Sequence, residues 1–144
     1  MRKFISILLV FSILLCSSAF AALPETDEIQ ASNYFQSYGM VVTAMGSGKL
    51  HLTFTCTAVG IADQLGVATF WVQKKNSEGD WVDVTNQMNG STNTNVTSYS
   101  FSKIFNGVAG ETYRVKCTFL CVKTINGTVG SETKSYTSGR KTAY

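Results

Sequence analysis

The 144-residue sequence predicts an all-β sandwich, and a repeating alternation of side chains is the first reason. In the segment 50–58 every second residue is apolar, and the residues between them are His51 and three threonines. The segment 112–121 has the same alternation, whereas no window of comparable length has the 3.6-residue period of an amphipathic helix. A period of two turns one face of a strand toward a core and the other toward solvent. We therefore expect antiparallel sheets without a helical layer.

Turn-forming residues provide the second reason, because they divide the chain into about seven strands. Clusters rich in Gly, Asn and Ser occur at 46–48, 76–80, 106–111 and 125–130. The polar segment 85–94 is predicted to be a long crossover loop, and 61–66 a short turn. Strands at this spacing are typical of a sandwich. The predicted strands are residues 39–45, 49–59, 67–75, 81–84, 95–105, 112–122 and 131–137.

The alternation also predicts which side chains form the core. Within each predicted strand, the apolar residues at every second position should face the opposite sheet. The clearest of them are Leu50, Leu52, Phe54, Phe70, Val72, Tyr113, Val115 and Phe119.

The first 21 residues have the pattern of a secretory signal peptide. Arg2 and Lys3 precede an apolar run over 4–15, and Ala19 and Ala21 take the −3 and −1 positions of a cleavage site. We expect a lead-in segment over 22–37 and a single sandwich domain over 38–144. The predicted location is extracellular, with no stable insertion in the membrane after cleavage.

Composition argues against several classes of function. Without residues 1–21, ten of the twelve basic residues remain beside nine acidic ones, and this near-neutral balance argues against nucleic acid as a partner. One histidine, His51, supplies neither a catalytic triad nor a metal-binding pair. We predict no catalytic residue, no cofactor and no metal, and a small secreted hydrolase is only a remote alternative.

Three features resemble the B, C and F strands of immunoglobulin and fibronectin type III domains: Cys56, Trp71 and the run 109–117. The mature chain also resembles small secreted Firmicute β-sandwich proteins of unknown function, in the segments 31–38, 46–50 and 109–119. These resemblances imply an immunoglobulin-like sandwich secreted by a Gram-positive bacterium. They imply no particular chemistry.

Cysteines on the core-facing side of two strands predict a disulfide. Cys56 and Cys117 lie on the inward faces of the strands that would be B and F, in opposite sheets, and a secreted location permits oxidation. Cys121 shares the face of Cys117 and is the rival partner, so one of the three cysteines stays unpaired. Three buried thiols are the alternative.

Outward aromatic residues provide the functional hypothesis. Trp71 has the opposite parity to the core residues of its strand, and strand C usually lies beside strand F in this architecture. We expect a non-enzymatic module for surface binding or adhesion, whose partner is an unknown extracellular protein or glycan. The predicted ligand contacts are Trp71, Gln73, Lys116 and Tyr136.

The alternative is a structural or colonisation-related secreted protein with no specific small ligand. In that case the side-chain stems of Arg114 and Lys116 cover Trp71. Trp81, which follows a turn, is expected to hold its hairpin against the edge of the core.

Overall fold

The computed structural model describes residues 32–144, and most of them belong to ten β-strands. The predicted signal peptide and the first part of the lead-in segment lie outside the described residues. The first strand begins at Phe35, slightly before the predicted start of the sandwich domain. The strands are β1 (Phe35–Gly46), β2 (Lys49–Ala62), β3 (Gln64–Lys75), β4 (Trp81–Asp83), β5 (Met88–Asn89), β6 (Thr92–Asn93), β7 (Val96–Asn106), β8 (Thr112–Ile125), β9 (Thr128–Thr137) and β10 (Lys141–Thr142).

The strands form two antiparallel sheets. Sheet 1 contains three strands in the order β1–β2–β7. Sheet 2 has β3 and β8 at its centre, with β4, β5 and β6 paired to β3, and β9 and β10 paired to β8. The predicted all-β, antiparallel sandwich is confirmed, and its arrangement is compatible with an immunoglobulin-like fold.

Side chains from both sheets meet in one core. Phe54 of β2 packs on Phe70 of β3, with ring centroids 5.2 Å apart. All the core residues predicted from the alternation are buried, none being more than 2% exposed. Because a slip of one residue would exchange the two faces of a strand, their burial confirms the predicted parity of β2, β3 and β8.

Two predicted connections contain strand residues instead. The short turn predicted over 61–66 is wrong, since β2 continues to Ala62 and β3 begins at Gln64. The predicted crossover loop 85–94 contains β5 and β6, which pair with β3. Glycine permits this pairing, because a Cβ atom at Gly66 or Gly90 would overlap the backbone of the facing segment. Strands of two residues, such as β5 and β6, are too short to show a periodic pattern in the sequence.

Candidate functional site

Trp71 lies on the outer face of sheet 2, which is the face turned away from the core. Its neighbours along β3, Phe70 and Val72, are both buried, and strand geometry places Trp71 on the opposite side. Across the sheet, its direct partner on β8 is Lys116. Both side chains are partly exposed. Two of the four predicted contact residues are therefore neighbours on the outer face.

A cleft of about 590 Å³ lies beside Trp71. The segment that follows β4 forms its wall and is fastened to β3 by three hydrogen bonds. Val84 N–H donates to the Val72 carbonyl at 2.9 Å, and Val72 N–H donates to Thr85 Oγ1 at 2.9 Å. The Gln87 side-chain amide donates to Thr69 Oγ1 at 2.9 Å. The cleft is lined by Trp71, Asp83, Val84, Thr85, Asn86 and Gln87.

Sequence reasoning missed this wall because it treated the segment as a loop. A run of Thr, Asn and Gln directly after an edge strand was the available signal, but its hydrogen bonds to β3 are not visible in the sequence. The lining combines an aromatic ring with amides, a hydroxyl and a carboxylate. Such a mixture suits a ligand that has both apolar faces and many hydroxyl groups.

Gln73 is the third predicted contact, and the structure gives it a different position. Its side chain is on the outer face but only 7% exposed, because its neighbours on β4 and β8 cover it. The amide nitrogen donates to Asp83 Oδ1 at 2.7 Å, and the amide oxygen accepts from Arg114 Nε at 2.7 Å. A carboxylate only accepts and a guanidinium only donates, so both ends of the amide are matched. Gln73 therefore positions Asp83 and Arg114 and offers little surface to a ligand.

Arg114 covers Trp81 rather than Trp71. The guanidinium carbon lies 4.5 Å from the centroid of the Trp81 ring, which is a cation–π arrangement. Trp81 pairs with Lys75 at the start of β4, and that pairing places it on the outer face of sheet 2. The expectation that Trp81 packs against the core edge is therefore wrong. The indole packs on the outer face instead, beneath a charged side chain.

Tyr136, the fourth predicted contact, lies on the opposite side of the sheet. Its partner on β8 is Cys117, a buried core residue, whereas Thr137 is the residue opposite Lys116. The Tyr136 ring packs near Tyr38 and Phe119, with centroids 6.4 Å away in each case. The register of β9 against β8 determines the side on which Tyr136 lies, since a shift of one residue would move its side chain to the other face of the sheet.

The three cysteines of the described region are buried between the sheets as free thiols. The predicted Cys56–Cys117 bridge is therefore not present in the structure. Burial raises the pKa of Cys56 to about 11, and the nearby Cys121 adds to the effect. Burial together with the neighbouring Cys56 raises the pKa of Cys117 to about 12. At neutral pH the thiols stay protonated and react slowly.

Within residues 32–144, no three His, Cys, Asp or Glu side chains come together as metal ligands would. His51 is paired with Thr43 and Ile104 on the outer face of sheet 1. The same residues contain no helix of the length and apolarity needed to cross a membrane.

Comparisons of the chain with protein-family models, with curated proteins and with solved structures found no match. The geometry of the sheet 2 outer face therefore carries the functional argument.

Proposed function

We propose that the protein is a secreted, non-enzymatic module that binds an extracellular glycan through the cleft beside Trp71. The supporting observation is a partly exposed indole beside a cleft whose other lining residues are Val84 and side chains that carry amide, hydroxyl and carboxylate groups. A flat indole packs against the apolar face of a sugar ring, while the polar groups exchange hydrogen bonds with its hydroxyls.

The order of the strands supports a finer proposal about the fold. In the immunoglobulin and fibronectin type III lettering, β1, β2 and β7 would be strands A, B and E. The central strands β3 and β8 would then be C and F, flanked by a C′ edge made of β4 to β6 and a G edge made of β9 and β10. In variable domains of this architecture the binding residues lie on loops at one end of the sandwich, whereas the proposed site lies on the C–F face.

Binding to a glycan panel tests the proposal. The mature protein, residues 22–144, is compared with Trp71→Ala and with Ile104→Ala, which removes an exposed apolar side chain from the outer face of sheet 1. We expect Trp71→Ala to lose the binding of the intact protein and Ile104→Ala to keep it. Equal binding by all three proteins would place the ligand elsewhere and overturn the proposal.

The alternative, a structural secreted protein without a small ligand, is favoured by the outer face of sheet 1. There Thr53, Thr55 and Thr57 of β2 lie directly opposite serines of β7, so that a row of hydroxyl groups runs along this surface. Threonine suits a strand and stays soluble without a partner. A protein that binds no member of the panel, yet resists extracellular proteases, would support this alternative.

A further inference from the structure

A second pocket, of about 540 Å³, opens on the same face of sheet 2 as the cleft beside Trp71. Strand β10 forms one side of it, because Thr142 pairs with Thr112 of β8 and their hydroxyls are hydrogen-bonded at 3.0 Å. Lys74 of β3 pairs with Tyr113 of β8, so the next residue of β3, Lys75, lies on the side of the pocket next to Thr112. We call it the basic pocket, lined by Lys75, Thr112, Arg140, Lys141, Thr142 and Tyr144.

The segment that carries Arg140 and Lys141 is held in place on both sides. Before it, Ser138 Oγ accepts from Val115 N–H at 2.9 Å in a buried position. After it, Ala143 N–H donates to the Glu111 carbonyl at 3.0 Å, and Tyr144 Oη donates to the Ala44 carbonyl at 3.2 Å. The two cations therefore lie on a segment that is held to the sheet by hydrogen bonds before and after them.

Three cationic side chains line the basic pocket, and no acidic side chain is among its lining residues. Salt bridges among residues 32–144 join Lys74 to Glu111 and Lys134 to Glu132, and none includes Lys75, Arg140 or Lys141. The adjoining turn contains Glu78 and Asp80, both exposed and neither ion-paired with Lys75. A pocket with unpaired positive charges and hydroxyl groups favours an anionic group such as a carboxylate or a sulfate.

The basic pocket and the cleft beside Trp71 lie at two ends of one surface. Trp71 and Lys75 are four residues apart on β3, which corresponds to about 13 Å along a strand. Between them lies the row formed by Gln73 and Arg114, with the Trp81 ring beneath the guanidinium. Arg114 and Lys116 continue the positive charge toward Trp71, whereas Asp83, the acidic residue of this row, accepts a hydrogen bond from Gln73.

We infer that the ligand is an acidic polysaccharide, whose sugar rings pack in the cleft beside Trp71 while its carboxylate or sulfate groups bind in the basic pocket. This inference rests on the proposed function, since it names the class of glycan for the same face. A neutral glycan would leave the cations of the basic pocket without partners. An extended, charged polysaccharide can bind in the cleft beside Trp71 and in the basic pocket at the same time.

Dextran and dextran sulfate are suitable probes, because they share one backbone and differ in charge. The affinity of the mature protein for each is measured at about 50 mM and about 300 mM salt, where screening differs strongly. The charge variant is Arg140→Gln with Lys141→Gln. The matched control is Lys103→Gln, which removes an exposed cation from β7 in sheet 1. A single-stranded oligonucleotide serves as a polyanion that is not a polysaccharide.

We expect tighter binding to dextran sulfate than to dextran, with the difference reduced at the higher salt concentration. The double variant should weaken binding to dextran sulfate by about tenfold or more, as expected for the loss of charged hydrogen bonds, and Lys103→Gln should leave it nearly unchanged. Equal binding to both dextrans would overturn the inference. An equal loss in Lys103→Gln would do the same, because it would show attraction by overall charge, and so would equally tight binding of the oligonucleotide.

The variants also separate this inference from the proposed function. If Trp71→Ala abolishes glycan binding while the double variant has no effect, the proposed function stands and the acidic ligand is wrong. If the double variant loses dextran sulfate while Trp71→Ala binds like the intact protein, the basic pocket stands and the proposed site at Trp71 is wrong. Unchanged thermal unfolding of each variant shows that a loss of binding is not a loss of fold.

Discussion

The outer faces of the two sheets differ in composition although the strands that build them follow the same alternation. On sheet 1, threonines of β2 lie opposite serines of β7, and the exposed apolar residues Val41 and Ile104 are scattered singly. On sheet 2, the corresponding positions hold two indoles, a buried amide and several cations. Solubility and strand propensity explain the first face. They do not explain the second, where side chains depend on specific neighbours.

This difference indicates where substitutions should matter, and for what. The inner faces of the two sheets should contribute most to stability, because their apolar side chains are buried in the common core. The outer face of sheet 1 should tolerate change, whereas the outer face of sheet 2 should respond according to each side chain's contacts. The following predictions compare these regions, beginning with the largest expected effect.

Phe54→Ala should lower the free energy of unfolding by about 3–5 kcal/mol, because it opens a cavity against Phe70 and Phe101. Thr55→Ala, at the next position of β2 but on the outer face, should change it by less than about 0.5 kcal/mol. Urea unfolding of both variants measures the contrast. Similar losses in the two variants would mean that the inner and outer faces of sheet 1 contribute equally to the free energy of unfolding.

This contrast was predictable from the sequence, whereas the position of Tyr136 was not. Burial of Phe54 follows from a local period of two within its own strand. The side of the sheet on which Tyr136 lies depends on the register of β9 against β8, which is set by the turn between them. The local pattern of β9 is almost entirely polar and therefore does not indicate a face.

The candidate site, too, was only partly predictable from the sequence. Trp71 was identified from its parity, but the cleft beside it depends on hydrogen bonds from residues 84–87 back to β3, and those contacts join segments that no periodic signal connects. Gln73 has the parity of an exposed residue and is nevertheless buried, because Asp83 and Arg114 close over it from the two flanking strands. Parity gives the side of the sheet, and only the neighbouring strands give the exposure.

The second prediction concerns the link between the two sheets. If the protein is oxidised, we expect a Cys56–Cys117 bridge, which closes a loop of about 60 residues and stabilises the fold by roughly 4 kcal/mol in the chain-entropy model. Non-reducing peptide mapping should show the linked pair, with Cys121 alkylated. A Cys56–Cys121 peptide would identify the rival pairing, and alkylation of all three cysteines in the unfolded protein would leave the sheets joined by packing alone.

The third prediction follows from the raised pKa values of the reduced thiols. An ordinary thiol has a pKa of 9.0, whereas burial raises the pKa of Cys56 to about 11 and the pKa of Cys117 to about 12. Between these limits the unfolded chain binds fewer protons than the folded chain. The free energy of unfolding should therefore fall as pH rises, by up to about 1.4 kcal/mol per pH unit for each thiol.

Urea unfolding from about pH 8 to about pH 11, with and without reductant, measures this effect. Ionisation of lysines and tyrosines is common to both samples, so the difference between them isolates the cysteines. We expect a steeper loss in the reduced protein, because a bridged pair has no proton to release. The comparison uses an oxidised sample in which peptide mapping has found the bridge. If the free energy of unfolding then falls equally with pH in both samples, the folded state does not protect these thiols from ionisation.

The fourth prediction compares polar residues on the two outer faces. Gln73→Leu removes both hydrogen bonds of the buried amide and leaves Asp83 and Arg114 without their shared partner. We expect a loss of about 1–3 kcal/mol in the free energy of unfolding. Thr53→Val, on sheet 1, should change it by less than about 0.5 kcal/mol, since a methyl in place of the hydroxyl keeps the β-branched shape that suits a strand. Equal effects would remove the distinction between the two outer faces.

The last prediction is a small effect on stability, that of Trp71→Ala. Its indole lies on the outer face beside an open cleft and has no cation stacked on it among the described residues, whereas Arg114 covers the indole of Trp81. Truncation there removes little core packing, so the thermal midpoint should move by only a few degrees. Phe70→Ala, one residue earlier and on the inner face, should lower the midpoint several times further, because its ring packs on Phe54 and Phe101. Differential scanning calorimetry of the two variants measures the contrast within one strand. If Trp71→Ala destabilises the protein as much as Phe70→Ala does, the indole is a structural part of sheet 2, and its position beside the cleft would no longer support a binding site.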